Sequence, residues 1–199
     1  MFLLSRFKKY SLLLILLSSS AQAASSSFSK DGFLITVEPI LGYELTAVNT
    51  PTIHTRAMVI YGGRVTAGHK LIAGEAEYTV GNTNESFPAQ DESLTTNKQN
   101  VRLGLRSSMA LTHWMDFIFR GGGQASKTKI DTTTISTATS VTSAPNWEIH
   151  PYAGAGISGH VADALSLSLE ATYLFRSVTD FSQNDVQASF SVKFHLSSR

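Results

Sequence analysis

Residues 165–175 alternate between apolar and other side chains over eleven positions. The odd positions are Leu, Leu, Leu, Ala, Tyr and Phe, and the even positions are Ser, Ser, Glu, Thr and Leu. A period of two predicts a β-strand with two unlike faces. Strands in soluble sheets usually run about 5–6 residues, whereas about 9–11 tilted residues cross a bilayer. This stretch is therefore long enough to cross a membrane.

The same alternation recurs along the chain and predicts eight antiparallel strands. They cover residues 33–45, 56–66, 71–80, 97–107, 114–124, 147–158, 165–175 and 185–196. Pro39 interrupts the first of them, and we expect a bend there. No stretch after the N-terminal region is apolar for 18 residues, so a membrane-spanning helix is not expected. A chain that spans a membrane without such a helix must form a closed barrel. We predict a single all-β domain, an antiparallel eight-stranded transmembrane β-barrel over residues 33–196.

The connections between these strands alternate in length. Long connections are predicted at residues 46–55, 81–96 and 125–146, short ones at 67–70, 108–113 and 159–164, and a moderate one at 176–184. Transmembrane barrels combine short periplasmic turns with longer extracellular loops. The pattern predicts that both mature termini are periplasmic.

The N-terminal segment predicts export. Basic residues at Arg6, Lys8 and Lys9 precede an apolar run at residues 12–17 and the triplet Ala-Gln-Ala ending at Ala23. This order describes a secretory signal peptide over residues 1–23. Residues 24–32 are small and polar, and we interpret them as a mobile leader before the barrel.

Charge and cysteine content exclude several classes of function. Removing the three basic residues of the signal peptide lowers the Lys and Arg count from 16 to 13, against 15 Asp and Glu. The mature chain is slightly acidic, which argues against a nucleic-acid partner. Cysteine is absent, so disulfides, thiolate metal sites and a thiol nucleophile are excluded. We expect no cofactor and no metal.

Charged residues concentrate on the face opposite the apolar one. Under the membrane interpretation they point into the barrel, where acidic and basic residues need one another as partners. We predict an ion-pair network in the lumen formed by Glu38, Glu44, Arg64, Glu75, Glu77, Arg102, Arg106, Asp116, Arg120, Glu170 and Arg176.

Aromatic residues concentrate on the apolar face, many near strand ends. Those predicted to face lipid are Phe33, Tyr43, Tyr61, Tyr78, Phe117, Phe119, Trp147, Tyr173, Phe175, Phe190 and Phe194. Aromatic girdles at both membrane interfaces produce this distribution. The alternative is that these are core aromatics of a soluble sandwich; strand length, the asymmetry of the connections and the signal peptide favour the membrane barrel.

The chain resembles the small eight-stranded outer-membrane barrels, the OmpA-like and OmpX-like family of Gram-negative bacteria. The stretches that carry the resemblance are residues 151–156, 167–173 and 190–194. It implies integration in the bacterial outer membrane, contact with outer-membrane lipid and lipopolysaccharide, and handling by the barrel-insertion machinery. Family members typically end on an aromatic residue that this machinery reads. This sequence departs from that pattern because residues 195–199 follow Phe194, so either Phe194 or Leu196 serves as the signal or the signal is weak.

Two functions remain open at this point. An eight-stranded barrel is just wide enough for side chains to fill, which favours a non-enzymatic structural or adhesin-like role through extracellular loops. OmpX-like proteins suggest that role for the loop at 125–146, whose Ser/Thr-rich run forms either a protruding hairpin that adds a partner strand or a disordered polar loop. The alternative is a small porin with a charged lumen. The sequence indicates no particular surface ligand.

Histidine and serine positions give little support to catalysis. None of the six histidines has a metal-ligand spacing, and His69, His113 and His160 fall in or near the predicted periplasmic turns. His150 lies beside Glu148 and joins the lumen network. His195 and Ser197 have a spacing seen in barrels that act on lipid A, but no acidic partner is placed with them. We therefore predict no enzymatic activity.

Overall fold

The computed structural model describes residues 32–49, 51–144, 146–162, 164–177 and 184–197. The predicted signal peptide, almost all of the predicted leader and residues 178–183 of the predicted last loop lie outside these ranges. The strands are β1 (Leu34–Val48), β2 (His54–His69), β3 (Ile72–Phe87), β4 (Glu92–Ala110), β5 (Met115–Thr134), β6 (Thr139–Thr142), β7 (Trp147–Ala162), β8 (Leu165–Leu174) and β9 (Asp185–Ser197). Within these ranges no helix has the length and apolar character needed to cross a membrane.

The sheet closes on itself. Each pairing is antiparallel, β1 pairs with both β2 and β9, and β5 pairs with β4 and β7. Eight strands therefore form a ring in the order β1-β2-β3-β4-β5-β7-β8-β9, while β6 pairs with β5 outside the ring. The predicted all-β, antiparallel eight-stranded barrel is confirmed.

Polar side chains fill the inside of the ring, and apolar side chains cover the outside. Buried residues are mostly charged or polar, with few apolar exceptions such as Ile60 and Ile118. Large apolar side chains are exposed along most ring strands, for example Leu41, Leu103 and Leu169. A soluble sandwich has the opposite arrangement, because water-soluble cores are apolar. The soluble alternative is therefore wrong.

The two ends of the barrel differ. One end, here called the turn end, carries the tight connections between β2 and β3, β4 and β5, and β7 and β8, together with Leu34 and Ser197 at the ends of the barrel. The opposite end, the loop end, carries the hairpins of β3 with β4 and of β5 with β6. The tight connections are shorter than predicted because the strands continue beyond the predicted apolar runs.

Two predicted loops are largely strand. Within residues 81–96, β3 continues to Phe87, a 3-10 turn covers Pro88–Gln90, and β4 begins at Glu92. Within residues 125–146, β5 continues to Thr134 and β6 follows at Thr139–Thr142. The prediction of a loop at 81–96 was wrong because this segment lacks an apolar face, so its strands leave no period-two signal. At 125–146 the protruding-hairpin alternative is confirmed, and the disordered-loop alternative is wrong.

Pro39 affects one ladder of β1 and leaves the other intact. Pairing of β1 with β2 is continuous through this position. Pairing with β9 omits Glu38 and Pro39. Proline has no N–H to donate, which accounts for a gap in the β9 ladder within a continuous strand.

Candidate functional site in the barrel interior

Eight charged side chains meet in the middle of the barrel. This central network consists of Glu38, Arg64, Glu75, Glu77, Arg102, Arg106, Arg120 and Glu170, each at most 5% exposed. Four arginines balance four glutamates, so the group is neutral. Buried charges are tolerated when they are paired and hydrogen-bonded in this way.

Glu170 on β8 binds three arginines. Its Oε1 accepts hydrogen bonds from Arg64 Nη1 at 2.8 Å and Arg106 Nη2 at 2.9 Å. Its Oε2 accepts one from Arg120 Nη1 at 2.9 Å. Glu38 on β1 joins the same group, since its Oε2 lies 3.0 Å from Arg64 Nη1 and 3.2 Å from Arg106 Nη1. One carboxylate thus holds together arginines from β2, β4 and β5.

The two glutamates of β3 complete the network. Glu77 Oε2 lies 2.8 Å from Arg64 Nη2 and 2.7 Å from Arg120 Nη2, and its Oε1 accepts from Arg102. Glu75 Oε1 accepts from Arg120 Nε at 2.9 Å. Each arginine therefore has a charged partner on another strand.

Uncharged polar side chains connect the remaining ring strands. The Tyr152 hydroxyl on β7 donates to Glu75, and its ring lies 5.7 Å from the Arg102 guanidinium carbon. Arg102 also donates to Gln124 on β5 and Gln187 on β9. With these contacts, each of the eight ring strands contributes a side chain to one hydrogen-bonded group.

Three residues of the predicted lumen network lie outside this group. Near the loop end, Lys98 Nζ donates to Glu44 and, at 2.9 Å, to Asp185. Arg176 Nε lies 3.1 Å from Asp185 Oδ2, and the Arg176 side chain is 26% exposed. Asp116 lies at the turn end. The predicted single network is therefore three separate groups, of which the central one is the largest.

At the turn end, Asp116, His160, Ser166 and His195 form a series of contacts. His160 Nε2 lies 3.1 Å from Asp116 Oδ2, and Ser166 Oγ lies 2.9 Å from both His160 Nδ1 and His195 Nε2. Serine, histidine and aspartate in this order occur in hydrolase triads. Here Ser166 is fully buried and its hydroxyl is engaged by both imidazoles, so a substrate has no approach to it.

The remaining histidine predictions have different outcomes. His150 Nε2 lies 3.5 Å from Glu148 Oε2, but the Glu148 side chain is 62% exposed, so this pair lies apart from the central network. His195 contacts Ser166, and the structure describes no side chain for Ser197. Among the described side chains, no three His, Asp or Glu residues are placed to hold a metal ion.

The predicted lipid-facing aromatics lie on the outer surface. Those that are exposed are Phe33, Tyr43, Tyr61, Tyr78, Phe119, Trp147, Phe190 and Phe194. Phe117, Tyr173 and Phe175 are half-buried: the Phe117 and Phe119 ring centroids are 4.5 Å apart, and those of Tyr173 and Phe175 are 4.9 Å apart. An apolar outer surface around a polar interior is the arrangement of transmembrane barrels.

Beyond the ring, β3, β4 and β5 continue in the same sheet, and β6 pairs with the end of β5. Pairing between β2 and β3 ends at Asn82, and pairing between β5 and β7 ends at Lys127. Residues 83–87, 92–96 and 128–134 together with β6 form what we call the loop-end sheet. Its two hairpin tips are joined by Asp91, whose backbone oxygen accepts from Ile135 N and whose Oδ1 accepts from Ser136 N, both at 2.9 Å.

Asp131 links β5 to β6 within this sheet. Its carboxylate accepts a hydrogen bond from the Thr142 hydroxyl and one from Lys129 Nζ at 3.0 Å. The Thr142 hydrogen bond, followed by that of Lys129, holds the pKa of Asp131 below its ordinary value. Side-chain contacts as well as the backbone ladder therefore join this hairpin.

The closed ring with a polar interior defines the chain as a small outer-membrane-type β-barrel, and solved structures agree. Neisserial surface protein A (NspA) has a TM-score of 0.53 at 10% identity, covering 81% of this chain and 96% of that one. Ail, the attachment invasion locus protein of Yersinia pestis, solved with the heparin analogue sucrose octasulfate, has a TM-score of 0.53 at 7% identity, covering 83% and 99%. The N-terminal barrel domain of Pseudomonas aeruginosa OprF has a TM-score of 0.50 at 11% identity, covering 81% and 97%.

No protein-family model and no curated protein matches the sequence. At identities of 7–11%, the likeness to these structures establishes the fold. The predicted resemblance to small eight-stranded outer-membrane barrels is confirmed at this level.

Proposed function

We propose that this protein is an integral, non-enzymatic outer-membrane protein that binds a partner at the cell surface through its loop-end sheet. The barrel serves as a filled anchor in outer-membrane lipid and lipopolysaccharide, placed there by the barrel-insertion machinery, with the turn end in the periplasm. The observation that supports this role is the continuation of β3, β4 and β5 beyond the closed ring, where β6 pairs with β5.

Strand lengths support a sheet that stands outside the membrane. β4 has 19 residues and β5 has 20. At a rise of about 3.4 Å per residue, each strand is about 65 Å long. A tilted strand crosses a bilayer with about 9–11 residues, and β8 has 10. About half of β4 and of β5 therefore extends beyond the thickness of a bilayer.

The outer edge of β6 offers backbone groups to a partner. Ser143 N donates to Ile130 O at 2.9 Å, and because antiparallel pairs alternate, the N–H groups of Thr139 and Val141 face β5. Those of Ser140 and Thr142 point away from the sheet. β6 contains neither charge nor proline, the usual protections of an edge strand, so an extended segment of a partner can add to it.

The charge of the loop-end sheet indicates the class of partner. It carries Glu85, Asp91, Glu92 and Asp131 on its strands and tips. Glu85 pairs with Arg56 at 2.7 Å and Asp131 with Lys129 at 3.0 Å, which leaves Asp91 and Glu92 without an ion pair among the described residues. A predominantly acidic surface disfavours sulfated glycans, so the heparin analogue bound to Ail is not carried over to this chain. We propose a protein partner, bound mainly through its backbone.

Replacing Ser140 with proline tests the edge directly. The variant removes an N–H that points outward and leaves the β5 pairing in place. We expect about ten-fold fewer cells displaying Ser140→Pro than wild-type cells to be retained on a surface coated with matrix protein. The lost hydrogen bond and the pyrrolidine ring both oppose strand addition. The measurement is retention of displaying cells on an array of purified extracellular-matrix proteins.

Ser140→Ala is the matched control, because it removes the hydroxyl and keeps the N–H. A variant lacking residues 132–142 is expected to lose retention entirely. Equal retention by wild type, Ser140→Pro and the deletion variant, at equal surface levels, would show that the loop-end sheet is not the binding surface.

A further inference from the structure

At the turn end, the interior opens into a chamber of about 180 Å³ that the function proposed above does not use. Its charged lining residues are Lys70, Arg106, Asp116 and Lys193, and the rest of its polar wall consists of histidines and hydroxyl groups. Three cationic side chains thus face one carboxylate.

Lys193 carries a buried charge without a close partner. The residue is 7% exposed, and its Nζ makes no hydrogen bond within the described part of the chain. Its nearest carboxylate oxygen, Glu38 Oε1, is 3.9 Å away, and Glu38 already pairs with Arg64 and Arg106 through Oε2. A buried ammonium in this position is costly unless something else compensates it.

Arg106 also lines this chamber and has an unused donor of its own. Its Nη1 and Nη2 bind Glu38 and Glu170, while its buried Nε has no hydrogen-bond partner among the described residues. Two donors on opposite sides of the ring, the Lys193 ammonium on β9 and the Arg106 guanidinium N–H on β4, therefore lack acceptors.

The one carboxylate of the chamber wall is already neutralised. Asp116 Oδ1 lies 3.0 Å from Lys70 Nζ, and Asp116 Oδ2 lies 3.1 Å from His160 Nε2. The central network is also balanced, four arginines against four glutamates. The charge of Lys193 therefore remains as an excess positive charge in a chamber that opens at the turn end.

We propose that this chamber binds a phosphate-type oxyanion, held by Lys193 Nζ beside the positive charges of Arg106 and of Lys70 at the rim. A phosphate group supplies several strong acceptor oxygens in different directions, as two separately placed donors require. Hydrogen bonds between ionised groups are about twice as strong as neutral ones. The same chemistry is offered by free phosphate and by the phosphate of a lipid headgroup.

The test is titration of the refolded barrel in zwitterionic micelles, in phosphate-free buffer, with backbone amide chemical shifts as the readout. Inorganic phosphate is one probe, short-chain phosphatidic acid is the second, and sodium acetate at matched ionic strength is the control anion. We expect saturable shifts at Gly68 and Ser108, which line the chamber. Tighter binding of phosphatidic acid assigns the site to a headgroup, and tighter binding of inorganic phosphate assigns it to the free anion.

Two variants make the test specific to the chamber. Lys193→Gln removes no hydrogen bond of the protein, so it is expected to fold and to weaken phosphate binding about ten-fold or more. Lys70→Gln, at the half-exposed rim, is expected to weaken it several-fold and serves if the first variant does not fold. Lys127→Gln, at the loop end, is the matched control.

Absence of saturable phosphate binding by the wild type overturns the proposal. An equal response to acetate overturns the assignment to phosphate. An equal loss of affinity in Lys127→Gln shows a general charge effect and also counts against the chamber. None of these results bears on the loop-end sheet, because that surface lies at the opposite end of the barrel.

Discussion

Replacing Glu170 with glutamine is expected to lower the free energy of unfolding by about 3–5 kcal/mol, the cost of breaking a buried ion pair from one side. Glu170 compensates Arg64, Arg106 and Arg120 at 2.8–2.9 Å in a site that is almost inaccessible to water. The variant keeps the shape of the side chain and removes its charge. Urea-induced unfolding from lipid vesicles, followed by tryptophan fluorescence, measures the change.

Glu148→Gln is the matched control, because the same substitution is made at a carboxylate that is mostly exposed. We expect it to change the free energy of unfolding by less than about 0.5 kcal/mol. Adding Arg106→Gln to Glu170→Gln is expected to cost less than the sum of the two single changes, since each removes a partner of the other. Equal stability of the Glu170 and Glu148 variants would contradict a structural role for the central network.

Replacing Gly62 with alanine is expected to cost about 1–3 kcal/mol of unfolding free energy, the usual penalty for overpacking. Gly62 faces the interior on β2, where a Cβ atom would lie 2.0 Å from the Tyr78 carbonyl oxygen and 2.8 Å from Thr79 Cα. Both are backbone atoms of β3, so the two strands must separate locally. The separation would also disturb Arg64, two residues further along the same face.

Gly63, the next residue on β2, provides the control for this substitution. A Cβ atom there meets nothing closer than the Glu38 carbonyl oxygen, at 3.8 Å. Gly63→Ala is therefore expected to leave stability within about 0.5 kcal/mol of wild type. A Gly62→Ala variant as stable as Gly63→Ala would mean that the close approach of β2 and β3 is not required.

The ring strands could be predicted from the sequence because the bilayer imposes an apolar outer face on each of them. Residues 165–175 and 185–196 were predicted as strands, and the structure has Leu165–Leu174 and Asp185–Ser197. The same signal is missing where strands leave the membrane. Glu85 and Leu94 are paired within residues 81–96, but polar side chains occupy most positions on both faces of this segment, so no period-two alternation of apolar residues results.

The sequence predicts which charged residues face the barrel interior, but it does not predict which of them form ion pairs with one another. Alternation places charged residues inside, whereas the partners depend on register and on the tilt of the strands around the ring. Alternation therefore does not reveal that Glu44 pairs with Lys98 and Arg176 with Asp185, apart from the central network. Gln187 and Tyr152 were omitted from the predicted site because an uncharged side chain gives no sign that it will bind a buried charge.

Side chains fill the barrel and join all eight ring strands. Single-channel conductance of the refolded chain from Ala24 onward, in planar bilayers, tests it most directly. The central network lies between the ion pairs of Glu44, Lys98, Arg176 and Asp185 near the loop end and the chamber at the turn end. We therefore predict no discrete openings from protein shown to be folded. Discrete, reproducible openings, with ion selectivity altered by neutralising Arg102, Arg106 or Glu75, would contradict the filled interior and identify a small porin.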